Sequence, residues 1–220
     1  MSNSIIQILV LAGIAIFLIV KLRNVLGTRD GFEGTAQPTS LPDAKAARRG
    51  FEVIEGGPDR DITDHVKDGT DAAKALAAMK LVEPSFSVSG FLQGARGAYE
   101  MILTAFAKGE LDRIRPYLST DVADSFAAVI ADRKTRGLTV TSEFVGLREL
   151  AVQNAAFDRA KGEGEVTVRF VGELISATRD ASGQLVEGDP KSARKQRDIW
   201  TFARKMGVND PNWHLVATGE

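Results

Sequence analysis

The sequence predicts an α+β protein: an N-terminal transmembrane helix, a flexible tether, and then helices packed on a curved antiparallel sheet. Three observations carry this. An uncharged apolar run opens the chain, and a stretch rich in proline, glycine and mixed charge follows it. Beyond residue 85 the hydrophobic period is helical first and two-residue afterwards, which places consecutive helices before consecutive strands. The aromatic side chains locate the core. Of the 15 Phe, Trp and Tyr residues, 12 lie in residues 86–220, and residues 21–85 hold only Phe32 and Phe51. Bulky apolar groups must offset the ordering entropy of a fold, so the domain is expected at 86–220.

Residues 1–27 read as the anchor. Residues 1–20 carry no charged side chain, and the run 5–20 is broken only by Gln7. Extended through Leu22, it is about 27 Å long as a helix, against a hydrocarbon core of about 30 Å. Lys21 and Arg23 mark the membrane boundary, where a lysine stem can snorkel. A cleaved signal peptide would carry its positive charge before the apolar run. Here the positive residues follow it, which predicts the N-terminus outside and the rest of the chain in the cytoplasm.

Residues 28–69 read as a flexible polar linker. Four of the seven prolines fall within residues 23–84, among recurrent glycines and charges of both signs. Residues 50–55 alternate weakly, as a docking peptide does, but a plain linker explains them better. Residues 70–85 hold a short helix preceding the domain. Ala72, Ala73, Leu76, Met79 and Val82 share a face, and Thr70 or Asp71 caps it.

The domain begins with a helix at 88–108, capped by Ser87 or Ser89 and ended by Gly109. Gly94 and Gly97 lie inside it at a cost of about 1 kcal/mol each against alanine, so another element, the sheet, is expected to come close there. A short helix follows at 110–117. The next starts at Ser119 or Thr120 and ends before Gly137, with Asp121 and Asp124 in its first turn and Arg133, Lys134 and Arg136 in its last. Its buried stripe is expected to be Val122, Phe126, Val129 and Ile130. Strands are expected at 138–147, 150–157, 165–178, 199–203 and 213–218. Residues 180–183 form a turn, and residues 184–194 form a polar loop. A curved sheet wrapped on helices commonly leaves an apolar pocket between the layers.

The chemistry search excludes more than it finds. Net charge is −1, and no basic excess marks a nucleic-acid binder. The absence of cysteine removes disulfides, thiolate nucleophiles and cysteine-ligated metals. The two histidines, His65 and His214, cannot build a His-rich metal centre. No phosphate loop, nucleophile elbow or zinc-helix motif is present, so no catalytic, metal or cofactor residues are assigned. Candidates for a pocket or partner surface are the aromatics Trp200, Phe202, Trp213, Tyr99 and Phe126, although aromatics in a sheet are more often core. Lys191, Arg194, Lys195 and Arg197 form a basic edge. Such an edge guards a sheet margin or meets an acidic partner or anionic lipid.

One ordered set of residues carries a resemblance. It comprises Phe86, Phe91-Leu92-x-Gly94-Ala95-Arg96-x-Ala98-Tyr99, Leu118-Ser119-x-Asp121-Val122, Trp200-Thr201-Phe202-x-Arg204 and Asn212-Trp213-x-Leu215. It resembles the Tim-44-like domain family, named for the 44-kilodalton subunit of the mitochondrial inner-membrane presequence translocase. The ending Lys21-Leu22-Arg23-x-Val25-Leu26-Gly27 is similar to its bacterial TimA-type members. The resemblance covers residues 1–27 and 86–220. It implies a cystatin or nuclear-transport-factor-two shape with an apolar pocket. It also implies a non-catalytic adaptor at the bacterial inner membrane, binding membrane proteins or chaperone-type partners and linked to protein translocation or membrane-protein quality control. Two alternatives stand beside it: a lipid- or small-molecule-binding pocket, and a ketosteroid-isomerase-like pocket enzyme. The second needs a carboxylate and a tyrosine in an apolar cavity, and only Tyr99 and Tyr117 are available.

Overall fold

Local signals set the ends of each helix in the computed structural model, which describes residues 59–219. A single turn, α1 (Arg60–Thr63), leads to α2 (Asp71–Val82), whose cap Thr70 accepts a hydrogen bond from the Ala73 N–H at 3.2 Å. The long α3 (Val88–Lys108) starts where Ser87 Oγ accepts from the Gly90 N–H, and it ends at Gly109 in the left-handed conformation, φ 75°. A short α4 (Leu111–Ile114) and a 3-10 turn (Arg115–Tyr117) follow, then α5 (Thr120–Thr135), capped by Ser119. The starts of α2, α3 and α5 and the end of α3 agree with the sequence reading because each rests on a side-chain cap or a C-terminal glycine.

The strands are β1 (Thr139–Asp158), β2 (Glu163–Arg179), β3 (Leu185–Gly188), β4 (Arg194–Lys205) and β5 (His214–Gly219). They form one antiparallel sheet in the order β1-β2-β4-β5. The short β3 pairs with the far end of β2, beyond the stretch that β4 covers. The sheet's inner face meets α2 and α3, both of which lie against β1. Phe170, Val168 and Val166 of β2 sit opposite Asp198, Trp200 and Phe202 of β4, and their apolar members join Tyr99, Ile102 and Leu76 in the core.

Four expectations need correction. The two strands foreseen at 138–147 and 150–157 are one strand, β1. Its register against β2 shifts at three places, near Val145, Arg148 and Gln153. Each bulge adds a residue and flips the in–out alternation, so a continuous strand reads as a broken one. The loop foreseen at 184–194 contains β3, and the chain can turn back at Gly188 because it has φ 81° and no Cβ to strike the Ser176 carbonyl. On α5 the buried residues are Val122 and Ala123; Phe126 is half-buried and Val129 is 43% exposed.

The fourth concerns where the domain starts. The linker reading extended to residue 69, but residues 59–69 pack on the domain. Ile62 is buried, and Asp61 caps α3 from outside: it accepts from the Val88 N–H (2.8 Å), the Ser89 N–H (3.0 Å) and Lys80 Nζ (2.9 Å). The helix assigned to 70–85 is core, with Leu76 and Met79 fully buried. Its alanines allow that burial, since small side chains let α2 sit close to the sheet. The rest of the linker, and the anchor with Lys21 and Arg23, lie outside the described residues. Among the described residues no helix is long and apolar enough to cross a membrane.

Candidate functional site

An open groove of about 630 Å³ runs along the outer face of α3. Its helical wall is made by Gly90, Gly94, Gly97 and Met101. The opposite wall is the β4–β5 connection, with Pro211, Asn212 and Trp213, and Tyr117 lines it as well. Phe91 and Phe202 form the floor, and Phe86 and Ser85 close one end near the start of α3.

The aromatic side chains form a chain from this floor into the core. Trp213 packs on Phe91 (ring centroids 4.7 Å) and Phe86 (5.8 Å), and Phe91 meets Phe202 edge-on at 6.0 Å. Phe202 then touches Phe170 and Trp200, and these enclose Tyr99, which is stacked on Phe170 at 4.4 Å. Of the five aromatics singled out in the sequence, only Trp213 and Phe202 therefore line the groove. Trp200 and Tyr99 are interior. Phe126 lies apart, against Phe106 at 4.4 Å. Lys191, Arg194, Lys195 and Arg197 are all exposed at the start of β4, with Lys195 opposite Glu173 of β2.

The Tyr99 hydroxyl donates to Asp198 at 2.6 Å, and Gln196 Nε2 donates to the same carboxylate. Burial, reinforced by the Asp198 charge, pushes the Tyr99 phenol well above its ordinary range. This tyrosine–carboxylate pair has the composition a ketosteroid-isomerase-like site needs, but neither residue lines the groove. The pair closes a polar gap in the core instead.

The charged feature of the groove is an ion pair that the sequence did not reveal. Arg204 is 7% exposed. Its Nη2 donates to Glu83 Oε1 at 2.7 Å and its Nη1 to the Asp210 carbonyl at 3.1 Å, and its guanidinium lies 5.2 Å from the Trp213 ring centre. Glu83 Oε2 also accepts from the Gly207 N–H. Burial alone would raise the Glu83 carboxyl, but Arg204 and the Gly207 N–H outweigh it and hold the group below the usual carboxylate range. Arg204 Nε is itself buried and has no hydrogen-bond partner among the described residues. No spacing signal links Glu83 to a residue 121 positions away, and only the recurrence of Arg204 in the resemblance set pointed to it.

Gly94 and Gly97 are not close to the sheet. An added Cβ at either would meet nothing within 4 Å among the described residues, and both are exposed in the groove wall. Among the described residues no group of three or more His, Cys, Asp or Glu side chains is placed to hold a metal.

Part of the set that carried the resemblance meets here: Phe86, Phe91, Gly94, Phe202, Arg204 and Trp213 line the groove, while Tyr99, Trp200, Leu118 and Leu215 do not. The model of the Tim44-like domain matches residues 72–220, so it includes α2. The human mitochondrial import inner membrane translocase subunit TIM44 is 25% identical over 168 residues, which covers 71% of this chain and 36% of that protein. The Arabidopsis thaliana subunit TIM44-1 is 22% identical over 144 residues, or 65% of this chain and 30% of the relative. The chain thus spans about a third of the length of the curated relatives it matches. Among solved structures, the intermembrane space region of the chloroplast protein ARC6 overlaps 58% of this chain and 93% of its own, at 11% identity and a TM-score of 0.39. That overlap carries no argument. The family match rests on the sequence, extends over two thirds of the chain, and takes in both walls of the groove: this protein belongs to the Tim44-like domain family.

Proposed function

We propose that the chain is a membrane-tethered, non-catalytic adaptor whose Tim44-like domain docks protein partners at the bacterial inner membrane. The observation that carries this reading is the groove, an open concavity with Phe91 and Phe202 at its base and half-buried Trp213 in its wall, lined in part by residues that mark the family. A solvent-exposed apolar concavity is costly to keep unless something fills it. The relatives are named as subunits of an inner-membrane import translocase, which favours a role beside protein translocation. The titratable side chains lining the groove are Glu83, Arg204 and Tyr117, and the first two are committed to each other. That favours binding over chemistry. In this reading the uncharged run before Lys21 is a single span with the N-terminus outside, and the domain works in the cytoplasm.

Two measurements test it. A C-terminal alkaline phosphatase fusion to the full chain should be inactive, and activity would refute the cytoplasmic placement. Pull-down of the full chain from solubilised membranes should recover a partner that Trp213→Ala loses. Recovery of the same proteins with and without Trp213 would remove the groove from the function.

A further inference from the structure

We propose that the uncovered edge of β4 at residues 194–198 takes an extended, acidic segment of a partner protein as an added strand, with a carboxylate at every second position. This surface lies apart from the groove and goes beyond the reading above.

The first observation is the edge itself. β4 pairs with β2 along its whole length, and from Ile199 onward β5 covers its other side. Residues 194–198 have no strand on that side. Among the described residues no other backbone or side-chain group bonds their outward N–H and C=O groups. The other margins of the sheet are guarded. β1 is bulged three times, and at β5 Leu118 bridges to Leu215 while the Ser119 N–H donates to the Leu215 carbonyl. Bulges and covering segments are the usual ways a sheet closes its edges. The stretch 194–198 has neither: its register against β2 runs without a shift, and it contains no proline. It is also held in place. Asp198 points inward, where the Tyr99 hydroxyl and Gln196 Nε2 bond it, so receiving a strand requires little further ordering.

The second observation is charge. Lys191, Arg194, Lys195 and Arg197 are exposed, and none lies within ion-pair distance of an acid among the described residues. Glu173, opposite Lys195 on β2, is bound to Arg148 at 2.8 Å. Side chains alternate between faces along a strand. Asp198 and Trp200 are buried on the inner face, so Lys195 and Arg197 share the outer one. Cross-strand neighbours on one face interact directly, and opposite charges there are favourable. A strand that matches this edge therefore carries carboxylates at i and i+2. The same cations repel a second copy of the edge, which disfavours self-pairing. A lipid headgroup would use the charge but neither the backbone groups nor the alternation.

Binding of a synthetic peptide of strictly alternating glutamate and threonine to the full chain in detergent micelles tests this. The expected result is binding at low salt, with hydrogen exchange slowed over residues 194–198. A peptide of the same composition with its glutamates in one block should bind about tenfold more weakly. N-methylation of either all the glutamates or all the threonines should abolish binding in one case and spare it in the other, since an antiparallel edge bonds every second residue. Lys195→Gln combined with Arg197→Gln should weaken binding by about fivefold or more, the size of two exposed ion pairs, with the melting temperature unchanged. Trp213→Ala should leave peptide binding as it was. Equal binding of the block peptide, indifference to both N-methyl series, or no binding would each overturn the proposal. So would phosphatidylglycerol vesicles that bind through Lys195 and Arg197 while the peptide does not. The two readings separate cleanly. A pull-down partner lost on Trp213→Ala with no peptide bound would sink the edge and leave the adaptor, and peptide binding with no such partner would do the reverse.

Discussion

Glu83→Gln is the sharpest perturbation the ion pair allows. Glutamine keeps the shape and one acceptor but removes the countercharge of a guanidinium whose side chain is 6% exposed. What remains for Arg204 is the Asp210 carbonyl at 3.1 Å and the face of Trp213. Breaking a buried pair by removing one partner costs about 3–5 kcal/mol. Glu83 is 18% exposed, so some water can replace it and the lower end applies. For a domain of this size about 3 kcal/mol lowers Tm by roughly 6–12 °C. Thermal and urea melts of the domain read this directly. The double variant with Arg204→Met should recover most of the loss, because an apolar pair of similar volume is often neutral or better. Acid should mimic the single variant. The Glu83 carboxyl is held below its unfolded value, so its contribution is present at neutral pH and is lost as pH falls through the folded value. A single variant within about 1 kcal/mol of the parent, less than the loss expected on breaking a buried pair, or a double no more stable than the single, would refute the reasoning.

Three further outcomes follow from the same structure. A fragment of residues 86–219 should melt without cooperativity while residues 59–219 melt sharply, because the shorter piece loses Leu76, Met79 and Ile62 from the core and leaves Arg204 without Glu83; equal cooperativity would show that α2 is dispensable. Trp200→Ala should cost about 3–5 kcal/mol as a core cavity, whereas Trp213→Ala should cost about 1–2 kcal/mol for lost aromatic and cation–π contacts; equal urea midpoints would contradict the division between core and groove. Asp61→Asn should flatten the acid limb of a stability–pH curve. Burial alone would raise the Asp61 carboxyl, but Lys80 and the Ser89 and Val88 N–H groups outweigh it and hold the group far below its unfolded value, so its contribution is lost only as pH falls through that depressed value; unchanged curves would mean the cap contributes nothing.

Much of the fold was legible because its signals were local. Ser87, Ser119, Gly109 and Gly137 each mark a helix end within four residues, and the β2 alternation reads directly as a half-buried strand. Long-range effects hid the rest. The β1 bulges interrupt a period that its pairing with β2 restores. The alanine-rich α2 lacks the bulk that announces core, yet Leu76 and Met79 are fully buried, and Gly164 on β2 leaves room for Met79, whose Sδ would stand 2.9 Å from a Cβ there. The groove aromatics were half legible. Trp200 and Phe202 share one face of β4, but strand period alone does not tell which of the two lies at the base of the groove.

The glycines of α3 carry directional information in their spacing. Their cost did point to a close approach, and the sheet was the nearest candidate. The buried stripe of α3 is Phe91, Ala95, Tyr99 and Ile102. Gly90, Gly94 and Gly97 precede its members by one or two residues, and one residue is a turn of about 100° around a helix. They therefore cannot share the stripe's direction, and geometry alone excludes the sheet as the approaching element. Whatever the glycines accommodate must arrive from the solvent side, where the structure has the groove and no chain segment among the described residues. The sequence thus separates two demands on one helix. One face is bulky and fixes α3 to the sheet; the other is bare, weakens the helix, and forms a wall of the open groove.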